Sequence, residues 1–109
     1  MADPVATLEF TSVGYWSPGD ETSFFAWLDR IDCVSSYRGA SRTLFVDLKT
    51  DQPSEDDLRE LIGLHQRYKI DMRQLARFRS SRNESWFALP SMYWFDAVFG
   101  ASEETTTDA

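Results

Sequence analysis

Residues 53–72, PSEDDLRELIGLHQRYKIDM, contain the helix that most constrains the fold of this chain. Ser54 can accept hydrogen bonds from the first helical amides, and the three acidic residues after it suit the positive end of the helix dipole. Apolar and aromatic side chains then recur with the spacing of one helix face, namely Leu58, Leu61, Ile62, His65 and Tyr68. The segment therefore predicts an amphipathic core helix on which the rest of the chain packs.

The sequence that precedes this helix predicts three strands and another helix. Ser17 and Pro18, followed closely by an acidic residue, form a helix N-terminus, and the apolar pattern after them extends the helix to about Ile31. Hydrophobic alternation predicts the strands, which cover residues 5–13, 33–37 and 42–49, with a turn at residues 38–41.

The last third of the chain predicts short helices. Asp71 begins a capping box for a helix through Ala76, and Asn83 begins a last helical region that Pro90 interrupts and Gly100 ends. Trp86 and Trp94 with their aromatic neighbours predict core positions, with an interface anchored by Trp and Tyr as the alternative. The apolar content of the region is Trp86, Phe87, Leu89, Met92, Tyr93, Trp94, Phe95, Val98 and Phe99. Residues 101–109, ASEETTTDA, lack an apolar anchor and predict a disordered acidic tail.

These elements predict an α+β fold with a small antiparallel or mixed three-stranded sheet, helices packed on one face, and a helical C-terminal third. The length fits one domain, which we expect over residues 1–100. No apolar run reaches the roughly 20 residues of a membrane span. The first residues lack the basic and apolar regions of a secretory signal, so we expect a cytoplasmic protein.

The net charge of −7 is unevenly distributed along the chain. Residues 1–60 hold 12 acidic and five basic residues, whereas residues 67–82 hold six basic residues and one acidic residue. The basic run includes Tyr68 and Phe78, a pattern that a single-strand nucleic-acid binder could use. The acidic total makes nucleic acid an unlikely partner and favours ion pairs between this run and the protein's own carboxylates.

The sequence contains no recognisable catalytic or metal-binding motif. His65 is the single histidine, and its spacing places it on the apolar helix face, although one proton-shuttling enzyme role stays open. Cys33 is the single cysteine, which excludes an internal disulfide and favours a small core residue. The acidic residues 55–57 lack the spacing of a calcium loop, so we expect no metal and no cofactor.

The chain resembles small acidic bacterial immunity proteins encoded beside toxins. The likeness covers about residues 8–100 and rests on Phe24-Phe25-x-Trp27-Leu28, Cys33-Val34, Gly39, Thr43-Leu44, Asp57-Leu58-Arg59-Glu60-Leu61-Ile62, Arg67-Tyr68-x-Ile70-Asp71-Met72-x-Gln74-Leu75, Trp86-Phe87, Tyr93-Trp94 and Val98-Phe99-Gly100. These are core positions, so the resemblance carries over no binding residue. It implies a stoichiometric protein inhibitor without catalysis.

Our leading hypothesis is a non-enzymatic protein that neutralises a basic toxin by binding it, because complementary charge speeds capture. The alternative is a small structural or adaptor domain, which would form a homodimer through its aromatic residues. The predicted partner-binding residues are acidic side chains of two groups, Asp20, Glu21, Asp29 and Asp32 along and after the first helix and Asp51, Glu55, Asp56 and Asp57 before and within the second.

Overall fold

The computed structural model describes residues 5–100, and its elements confirm an α+β fold. In chain order they are β1 (Ala6–Thr11), α1 (Pro18–Asp29), β2 (Val34–Ala40), β3 (Thr43–Leu48), α2 (Glu55–Tyr68), a 3-10 helix (Met72–Phe78), α3 (Glu84–Phe87) and a π-helical turn (Asp96–Gly100). The strands form one antiparallel sheet in the order β1-β3-β2. The predicted tail, residues 101–109, lies outside the described residues.

The chain divides into two compact units, one ending at Ile70 and the other beginning at Asp71. The first unit holds the sheet, α1 and α2, and the second holds the shorter helical elements. A single domain over residues 1–100 stays a prediction.

Helix α2 forms as its sequence predicts. The Ser54 hydroxyl accepts a hydrogen bond from the Asp57 amide at 3.1 Å, and Lys69 ends the helix by taking a left-handed φ of 58°. Leu61 and Ile62 are 0% and 1% exposed. The buried face of α2 comprises Leu58, Leu61, Ile62, Leu64, His65 and Tyr68. The core placement of this helix is confirmed.

Helix α1 begins at the predicted cap but ends two residues early. The Ser17 hydroxyl accepts a hydrogen bond from the Asp20 amide at 3.1 Å. At the other end the amides of Arg30 and Ile31 donate to carbonyls three residues back, which tightens the last turn and stops the α-helix at Asp29. Of the predicted apolar face, Phe24, Leu28 and Ile31 are buried, whereas Phe25 and Trp27 are half-buried.

The strand boundaries differ from the prediction at two turns. Strand β1 ends at Thr11 rather than residue 13, because Ser12 turns the chain with a φ of 55°. The predicted turn at residues 38–41 was wrong: β2 continues to Ala40, and Gly39 pairs with Leu44 inside the sheet. The hairpin closes through Ser41, whose φ of 58° supplies the left-handed conformation that a two-residue hairpin loop requires.

One face of the sheet is apolar and carries both long helices. Leu8 and Phe10 of β1 lie opposite Val46 and Leu44 of β3. The Phe10 ring lies 6.1 Å from the ring of Phe24 in α1 and 4.9 Å from the ring of His65 in α2. Since both helices contact the same strand residue, they pack on one face, as predicted.

The opposite face carries a polar cluster around Asp47. The Asp47 carboxylate accepts hydrogen bonds from the hydroxyls of Thr7 and Ser36, at 2.9 and 3.1 Å, and from the Arg38 guanidinium at 2.7 Å. Burial alone would raise the pKa of Asp47, but the hydrogen bonds from Arg38, Thr7 and Ser36 together lower it. This cluster ties all three strands together.

We expect Asp47→Asn to lower the free energy of unfolding by about 1–3 kcal/mol at neutral pH, because it removes a charged acceptor of three hydrogen bonds. A lowered pKa in the folded state means that ionisation stabilises the fold above the unfolded pKa, near 3.9, and that this contribution is lost as pH falls through the folded pKa. The melting temperatures of parent and variant should therefore converge on acidification. A difference of the same size at neutral pH and below about pH 3 would contradict this role.

The second unit is less helical than its sequence predicts. Asp71 does cap the segment after it, by accepting the Arg73 amide at 3.0 Å, but that segment is a 3-10 helix reaching Phe78. The region after Asn83 forms one α-turn and a later π-helical turn, so its apolar residues do not share one face. Trp94 is buried, as predicted, whereas its aromatic neighbour Tyr93 is 63% exposed and was wrongly assigned to the core. Leu89 is 40% exposed.

Candidate functional site

Two hydrogen bonds bring acidic segments from different parts of the sequence to one end of the first unit. The Lys49 amide, just after β3, donates to the Cys33 carbonyl at 2.9 Å. The Cys33 amide donates to the Asp57 carboxylate in the first turn of α2 at 3.0 Å. The loop after α1, the end of β3 and the start of α2 therefore meet. We call this region the acidic end, and it comprises Asp32, Asp51, Glu55, Asp56 and Asp57.

The carboxylates of the acidic end are not equivalent. Asp57 is half-buried and holds the Cys33 amide, and Glu55 forms an ion pair with Arg59 at 2.9 Å. The side chains of Asp32, Asp51 and Asp56 are exposed and make no hydrogen bond or ion pair with any residue between 5 and 100. These three carboxylates are therefore available to an incoming cationic group.

The remaining predicted acidic residues do not lie at the acidic end. Asp20 and Glu21 are in the first turn of α1, whose 12 residues span roughly 18 Å, and Asp32 lies beyond the other end of that helix. Asp29, in the last turn, accepts a hydrogen bond from the Tyr37 hydroxyl at 2.7 Å. The predicted group along and just after the first helix is therefore spread over the length of α1, and its role in binding a partner stays a prediction.

Asp20 has a structural position that the sequence did not suggest. One of its oxygens accepts the Trp16 amide at 2.8 Å and the other accepts the Tyr68 hydroxyl at 2.9 Å. The hydrogen bond from the Trp16 amide is the main cause that lowers the pKa of Asp20, with the Tyr68 hydroxyl adding to it. Asp20 thus joins the start of α1 to the end of α2, and its role as a partner-binding residue stays a prediction.

His65 is enclosed in the first unit. Its ring is fully buried, and Nδ1 lies 2.7 Å from the Leu61 carbonyl oxygen, so this nitrogen carries the proton and donates. The packed-residue interpretation is confirmed. Among residues 5–100 there is no group of three or more His, Cys, Asp or Glu side chains that could hold a metal ion.

Cys33 is buried, as predicted, and burial raises the pKa of its thiol to about 12, with the Asp57 carboxylate adding to the shift. The thiolate is the nucleophile that attacks a disulfide reagent, so native Cys33 should react far more slowly than a cysteine in an unfolded chain. We expect less than about a tenth of the labelling seen in denaturant over the same time. Labelling with an aromatic disulfide reagent, with and without denaturant, measures this, and equal rates would contradict the burial.

The basic run from 67 to 82 is divided between the two units. In the second unit, Arg73 pairs with Asp71 at 2.7 Å and Arg79 pairs with Glu84 at 2.8 Å, so ion pairs with the protein's own acids do form. In the first unit, Arg67 and Lys69 form no ion pair with any residue between 5 and 100. Ion pairs with carboxylates therefore neutralise some cations of this run but not Arg67 and Lys69.

Arg67 and Lys69 border a cavity that sequence reasoning missed. The cavity has a volume of about 400 Å³, and its lining includes Ser12, Tyr15, Trp16, Arg67, Tyr68 and Lys69. We call it the aromatic–basic cavity. Trp16 is 90% exposed. A tryptophan placed between a strand and a helix cap, outside any periodic pattern, was the signal that could have identified this site.

No known protein family, curated protein or solved structure matches this chain. Within residues 5–100, none of the helices is both long enough and apolar enough to cross a membrane.

Proposed function

We propose that this chain is a non-enzymatic protein of immunity or antitoxin type, which neutralises a basic protein toxin by stoichiometric binding through the acidic end. The observation that supports the proposal is the convergence of exposed Asp32, Asp51 and Asp56, from separate segments, without neutralising partners among residues 5–100. A toxin and its neutraliser would meet in the cytoplasm.

The electrostatics of the acidic end suit rapid capture of a cationic protein. A net charge of −7 attracts a basic partner at long range, and a local group of carboxylates orients the encounter. Glu55, Asp56 and Asp57 lie in the first turn of α2, where the helix dipole is positive. The dipole therefore offsets part of the negative potential of these three carboxylates. Asp32 and Asp51 lie outside the helix, so their charge adds most to the attraction.

Hydrogen bonds hold the backbone of the acidic end in place. The Ser54 cap fixes the first turn of α2, and the bond from Cys33 to Asp57 fixes the loop that carries Asp32. Because the backbone under these carboxylates is held by hydrogen bonds, binding does not require the segment to become ordered first. Tight binding would then depend on apolar contacts around the charges as well as on the charges themselves.

The test is coexpression with a toxin-domain protein encoded beside this gene. We expect the chain to restore growth of cells that make the toxin and to copurify with it in a fixed ratio. Failure to form a complex with, or to protect against, any neighbouring gene product would contradict the proposal.

A homodimeric adaptor is the second candidate, and the position of β2 favours it. The strand order places β2 at an edge of the sheet, where the backbone groups beyond the register shift between Val34 and Ser36 could pair with a second copy. Light scattering at increasing concentration separates the two candidates. A stable dimer that does not bind a toxin supports the adaptor, and a monomer that binds one supports the immunity protein.

A further inference from the structure

We propose that the aromatic–basic cavity binds a nucleoside monophosphate, an anion that carries a planar ring. The site lies within the first unit, away from the acidic end, and its volume of about 400 Å³ is in the range of small-molecule sites. This ligand site is separate from the surface proposed for the toxin.

Trp16 supplies the stacking surface of this cavity. Its side chain is 90% exposed although its backbone is held in place, because its amide donates to Asp20 and the next residue, Ser17, caps α1. A tryptophan that is held at its backbone and left in solvent can serve as a stacking surface, since Trp is among the residues enriched at binding hot spots. An indole in this position can stack on a flat ring without any rearrangement of the backbone.

The cavity wall is held by a network that reaches both helices. The Tyr68 hydroxyl donates to Asp20 at 2.9 Å, and the Tyr15 and Tyr68 rings lie 6.3 Å apart. Burial raises the pKa of Tyr68, and its hydrogen bond to Asp20 raises it further, so Tyr68 stays a neutral donor at physiological pH. Asp20 stays ionised, and its charge acts on Arg67. Asp20 is not itself part of the lining, in which Arg67 and Lys69 are the charged residues.

The charges of the lining favour an anion. Arg67 and Lys69 line the cavity, and neither forms an ion pair with any residue between 5 and 100. Two nearby depressions carry a different charge: one is lined by Glu21 as well as Arg42, and the other by Glu21 and Asp29. The net charge of the chain is −7, so the molecule as a whole repels anions. A cavity lined by two cations is a local site that attracts an anion.

The helix dipole accounts for part of this arrangement but not for all of it. Cations at the C-terminal end of α2 stabilise that end. The dipole gives no reason for Trp16 to stand in solvent beside those cations. A nucleotide uses both features, because its base stacks on the indole while its phosphate accepts hydrogen bonds from the Arg67 guanidinium and the Lys69 ammonium.

A free mononucleotide fits better than a nucleic-acid strand. A nucleic-acid strand carries many phosphates, and only one of them can occupy the cavity. The other phosphates would be repelled by the carboxylates of the first unit, since residues 1–60 hold 12 acidic and five basic residues. A single phosphate needs only the two cations of the cavity.

The test follows the tryptophan indole N–H signals of the full chain by NMR during titration with each of the four ribonucleoside monophosphates at low salt. The Trp16 signal is assigned by its disappearance in Trp16→Phe. We expect saturable binding by at least one nucleotide that shifts the Trp16 signal and leaves the Trp94 signal in place. Trp16→Ala and Arg67→Gln should each weaken binding by about tenfold or more.

Matched controls are available on exposed side chains outside the cavity. Tyr93→Ala removes an aromatic ring that is 63% exposed, and Arg82→Gln removes an exposed cation; both should bind as the parent does. Because the Trp16 side chain is exposed, Trp16→Ala should keep the parental melting temperature, so lost binding would not reflect unfolding. The nucleoside and inorganic phosphate, added separately, should each bind more weakly than the nucleotide.

Three results would overturn the proposal. They are the absence of saturable binding by all four nucleotides, parental affinity in Trp16→Ala, and tighter binding of a short oligouridylate than of uridine monophosphate. The last result would assign the surface to single-stranded nucleic acid. None of these results depends on toxin binding at the acidic end, so the two proposals fail independently.

Discussion

Phe24→Ala should lower the free energy of unfolding by about 3–5 kcal/mol and the melting temperature by roughly 10 °C or more. Phe24 has no exposed surface. Its ring lies 6.1 Å from Phe10 of β1 and 4.9 Å from Tyr68 of α2. Truncation therefore leaves a cavity where the sheet and both long helices of the first unit meet.

Phe25→Ala is the matched control, because it removes the same side chain from the next position of α1. Phe25 is half-buried, so the loss of apolar contact should be about half as large. Denaturant unfolding of the two variants beside the parent measures the difference. Equal losses of stability would contradict the placement of Phe24 at the centre of this core.

Charge reversal at the acidic end should slow association with a basic toxin by about tenfold or more, because steering by complementary charge accelerates encounter by 10 to 10³. The variant combines Asp32→Lys, Asp51→Lys and Asp56→Lys. These side chains are exposed and make no hydrogen bond or ion pair with residues 5–100, so the fold should be retained. Asp56→Lys should lower the free energy of unfolding by about 1 kcal/mol, because it places a cation at the positive end of the α2 dipole. The dissociation rate should change less than the association rate.

A pair of single substitutions localises the effect. Asp56→Lys and Glu21→Lys change the net charge by the same amount, but Glu21 lies in the first turn of α1, at the opposite end of that helix from Asp32. Only Asp56→Lys should slow association strongly. Equal slowing by both would mean that net charge, and not the acidic end, attracts the partner.

The sequence predicted those elements whose signals are local. Helix α2 has its cap, its apolar period and its ending within one segment, so Ser54, Leu61 and Ile62 took the positions expected. The β2–β3 turn was misplaced because Gly39 is an obvious turn residue, whereas Ser41 carries the left-handed φ that closes the hairpin. A serine has no strong preference for that conformation, so its role follows from the strand register.

The candidate sites were harder to predict because they are made by long-range contacts. Asp32 joins Asp51 and Asp56 through hydrogen bonds at Cys33, which link residues 16 and 24 positions apart. The exposure of Trp16 could not be read from composition, since most tryptophans in a small domain are at least partly buried. The sequence identified acidic residues as candidates for binding a partner. Which of them lie close together became clear only from the three-dimensional structure.

The central claim is that a basic protein is captured by charge, and the salt dependence of the association rate tests it most directly. The measurement takes the unmodified chain and its candidate toxin at low and at high salt, with the rate followed by stopped-flow fluorescence. The account predicts a rate that falls steeply as salt increases, since salt screens attraction between exposed charges. An association rate that does not change with salt would contradict it.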